Sequence, residues 1–200
     1  MYSKYIKLAI QIKLIIAICL ISVNVHGQTL IYDAFIHGHN VGQMKVTREV
    51  NDESIKISVD THIEAHMLVT ITVNFTSEST YMNNKLIIGE ARSSTNGHLK
   101  SSVHTVFKNG YYEVNLDGDI SRLEKDDIVG ADYYYFEVPE NGQELYALAT
   151  GTMLNVDKDH EGVYYFEHDG KKELHTFSSG SLEELKISHR LYTVTFKRRD

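Results

Sequence analysis

Every second residue from Ile55 to Phe75 is apolar or a small side chain: Ile55, Ile57, Val59, Thr61, Ile63, Ala65, Met67, Val69, Ile71, Val73 and Phe75. Except for Leu68, the positions between them are polar: Lys56, Ser58, Asp60, His62, Glu64, His66, Thr70, Thr72 and Asn74. A period of two belongs to a strand with one buried face, and no helix can use it. As one straight strand these 21 residues reach ~70 Å at ~3.3 Å each, against a radius of gyration near ~16 Å for a compact domain of this size. The run must therefore bend or break. It holds no Gly or Pro to make a tight turn, so a bulge or corner is expected near Glu64–Leu68, with parity kept. That describes one strongly curved strand, or two strands sharing an inner face, in a rolled sheet or barrel.

Shorter β-type runs separated by turn dipeptides fill the rest of the chain. Leu30–Ile36 and Val41–Val50 flank His37-Gly38-His39-Asn40, and Lys85–Arg92 and Leu99–Lys108 flank Asn96-Gly97. Asn109-Gly110, Asp169-Gly170 and Ser179-Gly180 each separate two further runs, and two-residue loops of this kind favour hairpins. Ser121–Asp132 reads as a short helix or loop, because Ser121 and Glu124 are spaced to open one helical turn. Tyr133–Val138 before Pro139 reads as a strand. The sum is an all-β chain: an antiparallel rolled sheet, barrel or half-barrel of about ten strands with at most one short helix.

The amino terminus reads as an address. Lys4, Lys7 and Lys13 precede or enter the apolar run Leu14–Val25, and Val25-His26-Gly27 offers a cleavage site. The run lies near the usual ~7–15 residues of a secretory leader and is too short to span a bilayer, which takes ~20. Met1–Gly27 is thus expected to be a cleaved signal peptide and residues 28–200 a single β-rich domain. Cys19 follows the bulky Ile18, which argues against lipid attachment there. Cleavage removes three lysines and the single cysteine, so the formal charge moves from -7 to -10. An acidic exported chain without thiols excludes disulfides and thiol chemistry, and argues against nucleic acid as a partner.

His62, Glu64 and His66 share one strand face and are the candidates for holding a metal. Neighbours on a face lie ~6.5–7 Å apart, so two share an ion only where the strand bends, and an ordinary polar face gives the same pattern. Asp157-Lys158-Asp159-His160-Glu161-Gly162 begins like a calcium loop, but its twelfth position is His168 and the glutamate falls one short. An acidic hairpin turn accounts for it better. Asp117, Asp119, Glu124, Asp126, Asp127 and Asp132 read as a solvated acidic loop. Ser179-Gly180-Ser181 lacks the frame of a nucleophile elbow, and no glycine-rich phosphate loop opens a helix. The aromatic run Tyr133, Tyr134, Tyr135 and Phe136 is the candidate lining of a ligand cavity, one face of it packing the core.

Several landmarks resemble a family. Leu30-Ile31-Tyr32-Asp33, the turn at Gly38, Val41-Gly42 and the long alternating run open the series. Tyr135-Phe136-Glu137-Val138-Pro139, Asp169-Gly170-Lys171-Lys172 and Phe177-Ser178-Ser179-Gly180-Ser181-Leu182 complete it. The order is similar to that of uncharacterised secreted proteins of Gram-negative bacteria, grouped as domains of unknown function. The resemblance covers nearly the whole mature chain and implies a periplasmic or exported β-rich domain, with no catalytic residue to carry over. The expected function is a noncatalytic, monomeric exported domain that binds a lipid-like apolar or amphipathic molecule in a barrel, without a cofactor. The alternative is a structural or assembly protein acting on an envelope protein, and a hydrolase comes third.

Overall fold

The computed structural model describes residues 26–66, 69–168, 171–189 and 192–199. The expected leader lies outside them except for His26 and Gly27, which begin the first strand. Fourteen strands follow in chain order: β1 His26–Ile36, β2 His39–Val50, β3 Ile55–His66, β4 Thr70–Met82, β5 Lys85–Thr95, β6 His98–Lys108, β7 Tyr111–Leu116 and β8 Asp119–Leu123, then β9 Glu144–Ala147, β10 Thr152–His160, β11 Val163–His168, β12 Lys171–Ser178, β13 Ser181–Ser188 and β14 Thr193–Arg198. All belong to one antiparallel sheet in the order β8-β7-β6-β5-β4-β3-β2-β1-β14-β13-β12-β11-β10-β9. Apart from β8 and β9, each strand pairs with its neighbours in sequence, and β14 returns to pair with β1, with Ala34 opposite Phe196. The two ends of the described chain therefore meet mid-sheet, and β8 and β9 form its edges.

The expected corner in Ile55–Phe75 is a reversal. β3 and β4 form a hairpin with Ile63 opposite Val73 and Thr61 opposite Phe75; Met67 and Leu68 lie outside the described residues. Odd positions face odd positions, so both strands turn the same residue set inward, as the alternation requires. Asn96-Gly97 and Asn109-Gly110 make hairpin turns with positive φ at both residues, the conformation in which Asn and Gly are at home. Asn83-Asn84 turns the same way without a glycine to announce it. The acidic stretch Asp157–Gly162 lies at the β10–β11 hairpin, as expected. Asp169-Gly170 lies outside the described residues.

Two expectations between β8 and β9 need correction. Asp119–Leu123 is an edge strand and not part of a helix or loop, whereas the helical turn comes later, at Ala131–Tyr135. Tyr133–Val138 is accordingly not a strand. The segment crosses the inside of the roll and meets the edge of β9 only at a single bridge, Gly130 beside Tyr146. It instead makes isolated backbone bonds: Leu86 N–H to the Ile128 carbonyl at 2.9 Å, and Tyr146 N–H to the Val129 carbonyl at 2.8 Å. A 3₁₀ turn then satisfies part of the backbone locally.

The sheet rolls past itself and does not close edge to edge. The Tyr146 hydroxyl on β9 bonds Thr105 on β6 at 2.7 Å, and a side chain at Gly89 on β5 would collide with Leu148, just after β9. Edge strand β9 thus rests on the inner faces of β5 and β6. Tyr32, Tyr81, Tyr112 and Tyr146 are wholly buried, and each phenol has an oxygen partner. Tyr32 donates to the Leu182 carbonyl at 2.9 Å and Tyr112 to the Leu86 carbonyl at 2.9 Å. No helix among the described residues is long and apolar enough to cross a membrane.

Candidate functional site

The strands of the roll leave a cavity of about 280 Å³ beside the 3₁₀ turn. Its walls are the inward residues of β3 and β4 (Val59, Thr61, Ile63, Val73, Phe75, Ser77) and, across from them, Leu154, Phe166, Leu182, Leu185, Ile187, Val194 and Phe196. Ala131, Asp132, Tyr134 and Tyr135 of the turn line it as well. Ile63, Val73, Ile187 and His189 also line it; they stand at the end of the roll where β3 gives way to β4 and β13 to β14. The segment between β8 and β9 enters from the other end. The volume is close to the ~300 Å³ at which small-molecule pockets begin.

Arg48 helps to fix the turn in place. It shares the inner face of β2 with Met44 and Val46, and its guanidinium lies 5.3 Å from the Tyr133 ring centre and 5.7 Å from that of Phe136. It also reaches the Glu137 carboxylate at 3.1 Å. A flat cation over two ring faces favours this winding of the chain. Tyr133 further packs edge-on against Tyr81 with ring centres 5.2 Å apart and donates to the Asn84 side-chain oxygen at 3.1 Å. Gln143 donates to the Tyr134 hydroxyl.

Asp132 is the buried carboxyl of the site. It is 8% exposed and takes a hydrogen bond from Ser79 and another from the Tyr81 hydroxyl at 2.5 Å. Burial pushes its pKa up, and the bonds from Ser79 and Tyr81 pull it partly back. Burial, with the Asp132 charge beside it, drives the Tyr81 phenol well above its ordinary value. Gly130 makes the pairing sterically available, since a side chain there would strike both the Asp132 carboxyl and the Tyr81 hydroxyl. The sequence reading of Asp132 as one member of a solvated acidic loop is thus corrected. Glu124, Asp126 and Asp127 are exposed as that reading requires, but the chain turns inward at Ile128.

Of the aromatic candidates, Tyr134 and Tyr135 line the cavity, whereas Tyr133 is buried against Tyr81 and Phe136 packs under Arg48. Tyr135 is half-buried, and its hydroxyl is unlike those of the fully buried tyrosines. Its hydroxyl has the Met44 sulfur at 3.5 Å as its partner, and sulfur is a weak acceptor. Burial, with Tyr32, Glu173 and Asp132 near, raises its pKa.

His62, Glu64 and His66 lie on the outer face of β3 and are exposed. His62 Nδ1 is 2.7 Å from the Asn74 oxygen, and His66 Nε2 is 3.2 Å from Glu64. Glu64 and His66 thus meet along β3 itself, while the hairpin gives His62 and His66 the cross-strand partners Asn74 and Thr70. Among the described residues no three His, Cys, Asp or Glu side chains are grouped to hold a metal ion.

Sequence reasoning missed the polar pair on the opposite wall. His175, 7% exposed, stacks on Phe166 with ring centres 3.8 Å apart and planes 8° apart. Its Nε2 is 3.4 Å from Glu173, and both residues line the cavity. The signal was present in parity, because Glu173 and His175 alternate into the same face as buried Phe177. The site can enclose an apolar chain and offer hydrogen-bonding groups at one side of it.

A β-barrel-like protein of a domain of unknown function, DUF1849, from Brucella abortus is similar in fold, with a TM-score of 0.56 over 90% of this chain and 98% of that one. The two are 10% identical, so the likeness concerns the fold alone. None of the curated proteins matches the chain. The expected all-β rolled architecture stands, with fourteen strands where about ten were expected. Residues 32–199 match the domain of unknown function DUF6134, and the chain belongs to that family.

Proposed function

We propose that this protein is an exported, noncatalytic binder of an apolar or amphipathic small molecule, which it holds in the roll. The observation that carries the reading is the cavity of about 280 Å³, walled mainly by aliphatic and aromatic side chains. Well-packed interiors leave few voids larger than a water, and this one is close to the ~300 Å³ at which small-molecule pockets begin. One medium-length chain fits, and a two-chain lipid does not. Export rests on the charged and apolar pattern of Met1–Gly27.

Enhancement of the fluorescence of N-phenyl-1-naphthylamine, an uncharged apolar probe, tests the reading. The protein is expected to bind it saturably at micromolar concentration, and Val73→Trp, which fills the cavity from β4, to weaken binding by about tenfold or more. No saturable signal, or equal binding by a folded Val73→Trp variant, overturns it.

The alternative, an envelope assembly protein acting through protein contacts, is favoured by one feature. Strand β8 is a sheet edge, and its Ile120 is 67% exposed, which is the surface a partner strand pairs with.

A further inference from the structure

We infer that the cavity selects an amphiphile with an uncharged, hydrogen-bonding head, such as an alcohol or an amide, and rejects carboxylates and phosphates. This rests on the binding reading above and concerns the chemistry of the same cavity.

The polar groups of the lining set the selection. Two carboxyl residues, Asp132 and Glu173, face the cavity, and among the described residues no lysine or arginine lines it. The basic groups there are His175 and His189, and His175 already stands beside Glu173 at 3.4 Å. Arg48 lies behind the turn, committed to Glu137 and to the rings of Tyr133 and Phe136. An anionic head would therefore enter a weakly screened space beside two acidic groups, with no lysine or arginine of the described residues in the lining to meet it. Like charges at short range in such surroundings are strongly unfavourable.

The hydroxyl of Tyr135 is what a neutral head would find. It is half-buried, lines the cavity and has the Met44 sulfur as its partner. The buried phenols of Tyr32, Tyr81, Tyr112 and Tyr146 all have oxygen partners. Asp132 is already supplied by Ser79 and Tyr81, so it contributes field and not a free acceptor. A phenol can both donate and accept, so an alcohol or amide beside Tyr135 replaces a weak contact with a full hydrogen bond. Its chain would then lie along Val59, Ile63, Val73 and Ile187 toward the far end of the cavity.

Isothermal titration of the purified protein with 1-decanol, decanoate and decane at about pH 8, where decanoate is ionised, tests this. Decanol is expected to bind at least about tenfold more tightly than decanoate, and more tightly than decane. Tyr135→Phe keeps the ring and removes the hydroxyl, and should reduce the preference for decanol over decane by about threefold or more. Decanoate binding as well as decanol overturns the inference, as does an unchanged decanol preference in Tyr135→Phe; both leave the binding reading in place. Failure of all three probes to bind overturns both.

Discussion

The 3₁₀ turn at Ala131–Tyr135 and the outer face of β3 lie on opposite sides of one sheet, and each presents a cluster of titratable groups. On the outer face His62, Glu64 and His66 stand in solvent and pair loosely with Asn74 and with one another. Inside, Asp132 and Tyr135 are enclosed, the carboxyl held by two hydroxyls and the phenol nearly free. Water stabilises a polar group for little cost on the first side, whereas on the second every polar group needs a protein partner or a ligand. The difference teaches that one β-strand period decides the outcome. Thr61 and Ile63 line the cavity, and their chain neighbour His62 does not.

Substitutions that should do much inside and little outside test that contrast. Tyr135→Ala should cost about 3–5 kcal/mol of stability, as large core truncations do, because the ring also packs edge-on to Tyr32 at 6.0 Å. Urea unfolding measures it, and a cost under about 1 kcal/mol would mean that the turn is not part of the core. Tyr81→Phe removes a donor to a buried carboxyl and should cost about 1.5–3 kcal/mol, read in the same assay.

Asp132→Asn sharpens the comparison through pH. Burial raises the Asp132 pKa above its ordinary 3.8, so the folded state holds that proton more tightly than the unfolded state. Its contribution to stability is fully present below that ordinary value and is lost as pH rises through the raised one. The stability of the wild type relative to Asp132→Asn should therefore fall within that window, by at most about 1.4 kcal/mol per pH unit. It should be level on either side. Thermal melts across an acid series check it, and a difference that rises with pH would show the carboxyl to be better stabilised as an anion.

Arg48→Met keeps the stem and removes the guanidinium from the rings of Tyr133 and Phe136, at a cost of about 1–2 kcal/mol. At the small end, His62→Ala and His66→Ala should each fall within about 0.5 kcal/mol of the wild type. A larger loss at His62, or zinc-dependent stabilisation that either change abolishes, would give the outer face a role that its exposure does not suggest.

The parts legible in the sequence were those governed by local rules. Alternation in Ile55–Phe75 assigned the inner residues of two strands correctly because a hairpin that pairs odd with odd positions preserves parity. Asn96-Gly97 and Asn109-Gly110 located turns because their backbone conformation is costly for most other residues. The Tyr133–Phe136 segment was misread as a strand because aromatic residues favour strands wherever packing permits, whereas here the chain leaves the edge of β9 after one bridge at Gly130 and winds into a 3₁₀ turn. Asp132 was illegible for a related reason. Its partners Ser79 and Tyr81 lie 53 and 51 residues away, and nothing in the spacing of the acidic residues distinguishes it from Asp126 or Asp127. Period two names the residues that share a face, but not whether that face closes on side chains or on a void.

The central claim, that the roll holds an apolar or amphipathic molecule, is most directly tested by native mass spectrometry of the protein purified from its own host. The account predicts a species heavier than the bare chain by the mass of one small organic molecule, released on collisional activation and diminished in Val73→Trp. A spectrum of the bare chain alone, from protein that remains folded, would contradict it.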